Sequence, residues 1–276
     1  MNTIPNLISH SAKTLAVSPI RTLLFACIIS ASIPAVADTE PWFTRALVGM
    51  EVGPTGAQFA GGDYAPEYAS KFNGRDIVRR CVEANADYLV LWVRDGEFTF
   101  HHSKLLPSPP GLGERDVLRE AVDEGHKVGL PIIAYCQLQY PAYELRNHPE
   151  WKMRQADGKP IDNLVCFNSS YGDRVEALLA EMMEYGIDGF HLDMVDQGFG
   201  PPTGCWCENC QKLFKAEHGR PMPKGVDWND EDWHRFVRFR YATSDRFEKR
   251  LTDFIRNKDS SVTVDFNYHG NPPFSW

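Results

Sequence analysis

Residues 186–210 (GIDGFHLDMVDQGFGPPTGCWCENC) concentrate the groups able to do chemistry. A short apolar run carrying Ile187, Phe190 and Leu192 delivers His191 and Asp193 at its far end. Strand side chains alternate, so with Phe190 and Leu192 on one face, His191 and Asp193 share the other. A carboxylate at the C-terminal end of a parallel strand, followed by a long loop, is placed as barrel catalytic residues are. It could attack an anomeric carbon and form a glycosyl-enzyme intermediate while a partner acid protonates the leaving oxygen. The plainer alternative is a carboxylate that caps the next turn or pairs with an arginine. Asp196, close behind, reads as a loop hydrogen-bonder.

The same stretch closes on Cys205-x-Cys207-x₂-Cys210. Three thiols so close together cannot form separate disulfides, yet they are spaced to wrap one ion. Tetrahedral zinc takes four ligands and structural sites are often all cysteine, which makes Cys166, upstream of the same strand, the fourth candidate. The rival is two disulfides among these four, natural outside the cytoplasm. Bridges between such close neighbours are strained, which tilts the reading toward zinc. No organic cofactor is expected.

Secondary wall residues follow from the other strand ends. Trp92 and Arg94, Tyr135 and Gln137, His191, Asn267 and His269 are candidate substrate contacts, with Trp92 as a stacking platform for a sugar ring. Structural hydrogen bonds inside the barrel are the alternative for each. Glu51, Glu97 and Glu144 compete for the role of partner acid, and the sequence does not separate them. Adjacent His101 and His102 face opposite ways on a strand, which argues against a shared metal and for a surface or substrate role.

The elements that must hold these residues alternate between strand and helix. Strands are read at 46–52, 86–93, 130–138, 186–194 and 261–268, and helices at 73–85, 114–129, 173–185 and 231–258. Asn73 is the expected N-cap of the first helix and Gly129 the stop of the second. A hairpin is expected at Asp157-Gly158. The alternation means a parallel sheet with helices outside. No glycine-rich dinucleotide fingerprint follows the first strand, so a (β/α)₈ barrel fits better than a doubly wound sheet. Five strands fall short of a barrel, which needs about 250 residues for itself. The chain is therefore expected to be an incomplete barrel, truncated at its C-terminus.

Composition sets the surroundings. Lys13 and Arg21, an apolar core at 22–33 and Ala35-Val36-Ala37 read as a cleaved signal peptide at 1–37. Its core is shorter than the roughly 20 apolar residues of a membrane span. The mature domain, 38–276, is thus expected to be periplasmic or secreted, without stable membrane insertion. A net charge of -8 and no basic stripe argue against nucleic acid. Aromatic residues make up 12% of the chain, and many tryptophans fall near loops, which suits sugar rings.

HPEW (148–151), the following Asp157-Gly158, CFNSSY (166–171), DGFHLD (188–193) and CWCENC (205–210) occur in an order that resembles hypothetical glycosyl hydrolase family six. That group is related to alpha-L-fucosidase-like barrels. The resemblance implies a (β/α)₈ glycosidase with Asp193 as nucleophile, acting on carbohydrate. The cysteine loop also resembles that of family forty-two beta-galactosidases, which implies zinc on Cys205, Cys207, Cys210 and Cys166. Those enzymes carry Asn-Glu where this chain has Leu192-Asp193, so their acid does not carry over. The expectation is an exported retaining glycoside hydrolase; the alternative is a non-catalytic carbohydrate-binding barrel or inactive fragment. Oligomeric state is not legible.

Overall fold

The computed structural model describes residues 40–54, 64–195 and 204–267. The expected signal peptide at 1–37, Asp196 and His269 lie outside these residues. The chain runs β1 (Gly49–Val52), α1 (Gly74–Glu83), β2 (Tyr88–Arg94), α2 (Val117–Val128), β3 (Ile132–Gln137) and α3 (Ala142–Asn147). It continues through β4 (Lys152–Arg154), β5 (Pro160–Val165), α4 (Tyr171–Met183), β6 (Gly189–Asp193), α5 (Glu208–His218), α6 (Glu231–Lys258) and β7 (Thr263–Asn267). The order β1-β2-β3-β6-β7 forms one five-stranded sheet, parallel at every pairing. Neighbours in the sheet follow chain order without reversal, as in a barrel wall and unlike a doubly wound sheet. The expected α/β class and incomplete barrel are borne out among the described residues.

Local chemistry sets the element ends. Asn73 accepts from the Asp76 amide at 3.0 Å, and Asp116 accepts from the Arg119 amide at 2.8 Å. Each such cap is worth about 1 kcal/mol. Gly129 closes α2 in the left-handed conformation at φ 71°, where a side chain would be strained. β1 starts later than its apolar run because Asp87 captures the Leu47 and Val48 amides, both at 2.8 Å. The Asp157-Gly158 turn joins antiparallel β4 and β5 as expected. Sequence patterning missed α3 and α5. Glycine, proline and the cysteine triplet dominate the approach to α5 and mask its short apolar face.

Two packing contacts fix which sheet face is which. A Cβ on Gly125 of α2 would fall 2.7 Å from Ile132 Cδ1, so Ile132 points at the helices. A Cβ on Gly189 would meet Thr263 Oγ1 and Ile133 Cδ1, so Ile133, Gly189 and Thr263 share the opposite, inner face. By alternation Tyr135, His191, Asp193, Asp265 and Asn267 are inner as well. The helix side is filled by Leu89, Leu91, Val93, Leu118, Phe190 and Leu192, all fully buried. A second core gathers hairpin β4–β5, the cysteines, α5 and the first half of α6. α6 joins the two: Trp233 and Phe236 enter the second core, while Phe247, Leu251 and Ile255 enter the first. No described helix is long and apolar enough to cross a membrane.

Candidate active site and metal centre

Asp193 ends β6, the fourth strand of the sheet, and is 4% exposed. Among the described residues its carboxylate has two side-chain donors. The Tyr135 hydroxyl donates a short hydrogen bond to Oδ2, and Asn267 Nδ2 donates to Oδ1 at 2.7 Å. These residues stand on the strands either side of β6: Asn267 is in register with Asp193, while Tyr135 lies opposite His191 and its long side chain reaches diagonally to the carboxylate. Burial, together with the Asp193 charge, pushes the Tyr135 hydroxyl far above its ordinary pKa and keeps it a donor.

Beneath the carboxylate lies an aromatic row. The Trp92 and Tyr135 rings stack at 4.3 Å, and the Tyr135 and His191 rings follow at 5.6 Å. Trp92 Nε1 donates to Glu51 Oε1 at 2.8 Å, and His191 Nδ1 meets Asp265 Oδ2 at 2.6 Å. Burial pulls the His191 pKa down, but the hydrogen bond and charge of Asp265 outweigh it and hold the imidazole above its ordinary value. The inner face therefore presents Asp193, Glu51 and Asp265 around one imidazole. Asp265 escaped the sequence reading, although it lies two residues before Asn267 and alternation places both on one face.

The exit from β6 is clamped. Met194 adopts a left-handed φ of 62°, a conformation that costs a non-glycine residue about 1–3 kcal/mol. Its side chain enters the cysteine-lined core, where its sulfur receives a 3.8 Å contact from Gln137 Nε2. Ser244 of α6 donates to the Val195 carbonyl at 2.8 Å. The segment leaving Asp193 is thus held by β3, α6 and the second core.

Other sequence candidates sit elsewhere. A register shift between Trp92 and Arg94 sets Arg94 opposite Cys136, which faces the helices. Arg94 consequently leaves the inner face and is fully buried against Glu144 at 2.9 Å and the Tyr171 hydroxyl at 3.1 Å. That pairing also removes Glu144 from the list of available acids. Glu97 forms a bidentate ion pair with Arg146. Glu51 is the one of the three glutamates on the inner face. His101 is fully buried, and desolvation lowers its pKa to about 4; His102 is exposed. Gln137 is buried at the end of β3.

Cys166, Cys205, Cys207 and Cys210 converge, with all four sulfurs within 4.8 Å of one another and every residue buried. Cys166 Sγ lies 3.6 Å from Cys207 Sγ and 3.4 Å from Cys210 Sγ. Four thiolates about 2.3 Å from one ion would sit about 3.8 Å apart, whereas a disulfide needs about 2.05 Å. Asn168 Nδ2 points at Cys210 Sγ from 3.2 Å and so braces the cluster from outside. The donor set, its burial and its spacing fit a tetrahedral soft-metal site. Cys81 and Cys136 are buried, form no disulfide among the described residues and lie apart from this group.

The family described as Hypothetical glycosyl hydrolase 6 matches residues 73–194, from the cap of α1 to the residue after Asp193. The motif resemblance is borne out over that segment. No curated protein matches the chain. Among solved structures, an alpha-L-fucosidase isoenzyme 2 from Paenibacillus thiaminolyticus superposes with a TM-score of 0.60 at 16% identity, over 80% of this chain and 32% of that one. A beta-galactosidase from the psychrophilic Marinomonas ef1 superposes at 0.53 with 15% identity, over 79% of this chain and 37% of that one. The chain thus spans about a third of the length of these structures. At these identities the likeness defines the fold alone, a partial (β/α) barrel.

Proposed function

We propose that this protein is an exported O-glycoside hydrolase that works by a retaining, double-displacement mechanism with Asp193 as nucleophile. One observation carries the reading: a nearly buried carboxylate at the end of the fourth strand, held by Tyr135 and Asn267 beside a stacked aromatic row. Two donors fix the carboxylate in one rotamer, which holds one oxygen toward an anomeric carbon entering from the inner face. Attack forms the carbon–oxygen bond to Asp193 and breaks the bond to the aglycone oxygen, which leaves with a proton from a partner acid; water, giving its proton to the same group, then cleaves the glycosyl ester with overall retention. With Nδ1 engaged by Asp265, His191 has Nε2 left for a sugar hydroxyl. Trp92 is not the stacking platform expected from sequence: it is 8% exposed, with Tyr135 stacked on its ring and Gly53 close against it, so it orients the exposed Glu51 carboxylate, which is offered to the same sugar ring.

Within this class an alpha-L-fucosidase-like substrate is proposed, on the likeness to the superposed fucosidase. The cysteine cluster is proposed to hold one structural zinc through Cys166, Cys205, Cys207 and Cys210. Bound there, zinc supplies no reaction step; it ties the end of β5 to α5 next to the exit from β6. Residues 1–37 are proposed to be removed on export. A screen of the purified protein against nitrophenyl glycosides, with the aryl fucoside included, tests the reading. Hydrolysis with retained anomeric configuration is expected, and a folded protein inert toward every glycoside overturns it. Amino-terminal sequencing of the exported protein should read from Asp38.

A further inference from the structure

The second core carries a surface feature that shares no residue with the Asp193 cluster. Two adjoining hollows, of about 380 and 350 Å³, have Ala156, Trp206 and Lys224 in common, so the Trp206 indole forms the ridge between them. The first volume falls in the range of small-ligand sites. Ile161, Leu164, Val226 and Trp233 give it an apolar wall, with Gln155 at its rim. Trp228 packs edge-on to Trp233 at 5.7 Å and is 44% exposed. The second hollow is lined by charge instead: Lys212, Lys215 and Lys224 against a single carboxylate, Glu208, which pairs with Lys212 at 2.5 Å. Lys215 and Lys224 are exposed and make no ion pair among the described residues.

Trp206 is fixed rather than mobile. Its indole N–H donates to the Pro223 carbonyl at 2.7 Å, and its backbone N–H donates to the Arg154 carbonyl at 2.8 Å. With the indole N–H engaged, the ring itself is what a ligand meets. Cys205 and Cys207 flank it in sequence, so the cysteine cluster anchors the ridge on both sides. A pre-set aromatic surface lowers the ordering cost of binding. The concentration of cations is notable on a chain whose net charge is -8. Aromatic planes accept the C–H faces of pyranose rings, and unpaired ammonium groups accept carboxylate or sulfate oxygens.

We propose that this paired hollow is a binding site for an acidic glycan, a pyranose chain bearing carboxylate or sulfate groups, with sugar rings on Trp206 and their anionic groups on Lys215 and Lys224. The site holds its ligand without breaking it, and the proposal stands whether or not Asp193 proves to be a nucleophile.

Affinity electrophoresis of the full chain in gels containing polygalacturonate, carrageenan or neutral xylan tests it, with the Asp193→Asn protein run alongside. Retardation by an acidic polymer and not by xylan is expected, equal in Asp193→Asn and weakened by added salt. Response to polygalacturonate alone, carrageenan alone or both assigns carboxylate, sulfate or either as the group recognised. The exposed double variant Lys215→Glu/Lys224→Glu should cut affinity at least tenfold with unchanged circular dichroism, and Trp206→Ala should do the same. No retardation by either acidic polymer, equal retardation by xylan, or full affinity in the double lysine variant overturns the proposal.

Discussion

Replacing Tyr135 with phenylalanine removes one oxygen and leaves the rest of the inner face in place. The ring still stacks on Trp92 at 4.3 Å and on His191 at 5.6 Å, so neither a cavity nor a lost aromatic contact accompanies the change. What disappears is the hydroxyl that donates to Asp193 Oδ2. A hydrogen bond to a charged acceptor contributes about 1.5–3 kcal/mol. The partner left behind is 4% exposed, so little water can take over, and the upper half of that range applies. Urea unfolding near neutral pH should therefore show Tyr135→Phe less stable by about 2–3 kcal/mol. If the same bond orients Asp193 for attack, kcat should fall roughly 30- to 160-fold, since each 1.36 kcal/mol is tenfold in rate. Tyr135→Leu should lose more stability still, because it also empties the stack. A phenylalanine variant within 0.5 kcal/mol of wild type on the scale of such bonds, with kcat unchanged, would refute the idea that Tyr135 holds the carboxylate.

Further outcomes follow from the same contacts. Glu144→Gln leaves the fully buried Arg94 guanidinium without its counter-charge and should cost about 3–5 kcal/mol by urea unfolding, far beyond any exposed ion pair here. Metal analysis should find one zinc per chain; Cys207→Ser should lose it and reductant should leave it in place, whereas two disulfides by mass spectrometry would exclude the metal. The Asp265 carboxylate holds the His191 pKa above its ordinary 6.5, so its stabilisation is full below about pH 6.5 and disappears as pH rises through the elevated value. The melting-temperature gap between wild type and Asp265→Asn should accordingly be widest in mild acid and vanish in alkali. That gap should stay small, because Asp265 is 62% exposed and water screens the pair.

Much of this arrangement was legible in residue order. The apolar runs located all five strands of the sheet, and alternation put His191 and Asp193 on one face. The cysteine spacing, with Cys166 added, anticipated a cluster that only the three-dimensional path could close. Arg94 shows where alternation fails: the bulge after Trp92 turns it from the inner face to the helix side, and no residue type announces that slip. Glu144 looked like a free loop carboxylate because its partner, Arg94, stands fifty residues away at the end of β2. α5 was hidden because its buried residues, Cys210 and Phe214, belong to a small core rather than to a long apolar stripe. Asp265 was missed for a plainer reason. The residues read from the last strand were those at its end, whereas the inner face continues back along it.

The claim that Asp193 is the nucleophile is tested most directly by azide rescue of Asp193→Gly. On an aryl glycoside that the wild-type protein hydrolyses, the variant should be nearly inactive. Added azide should restore turnover by occupying the vacated space and attacking the anomeric carbon, giving a glycosyl azide of inverted configuration. Asp193→Gly turning over at the wild-type rate without azide would contradict the account.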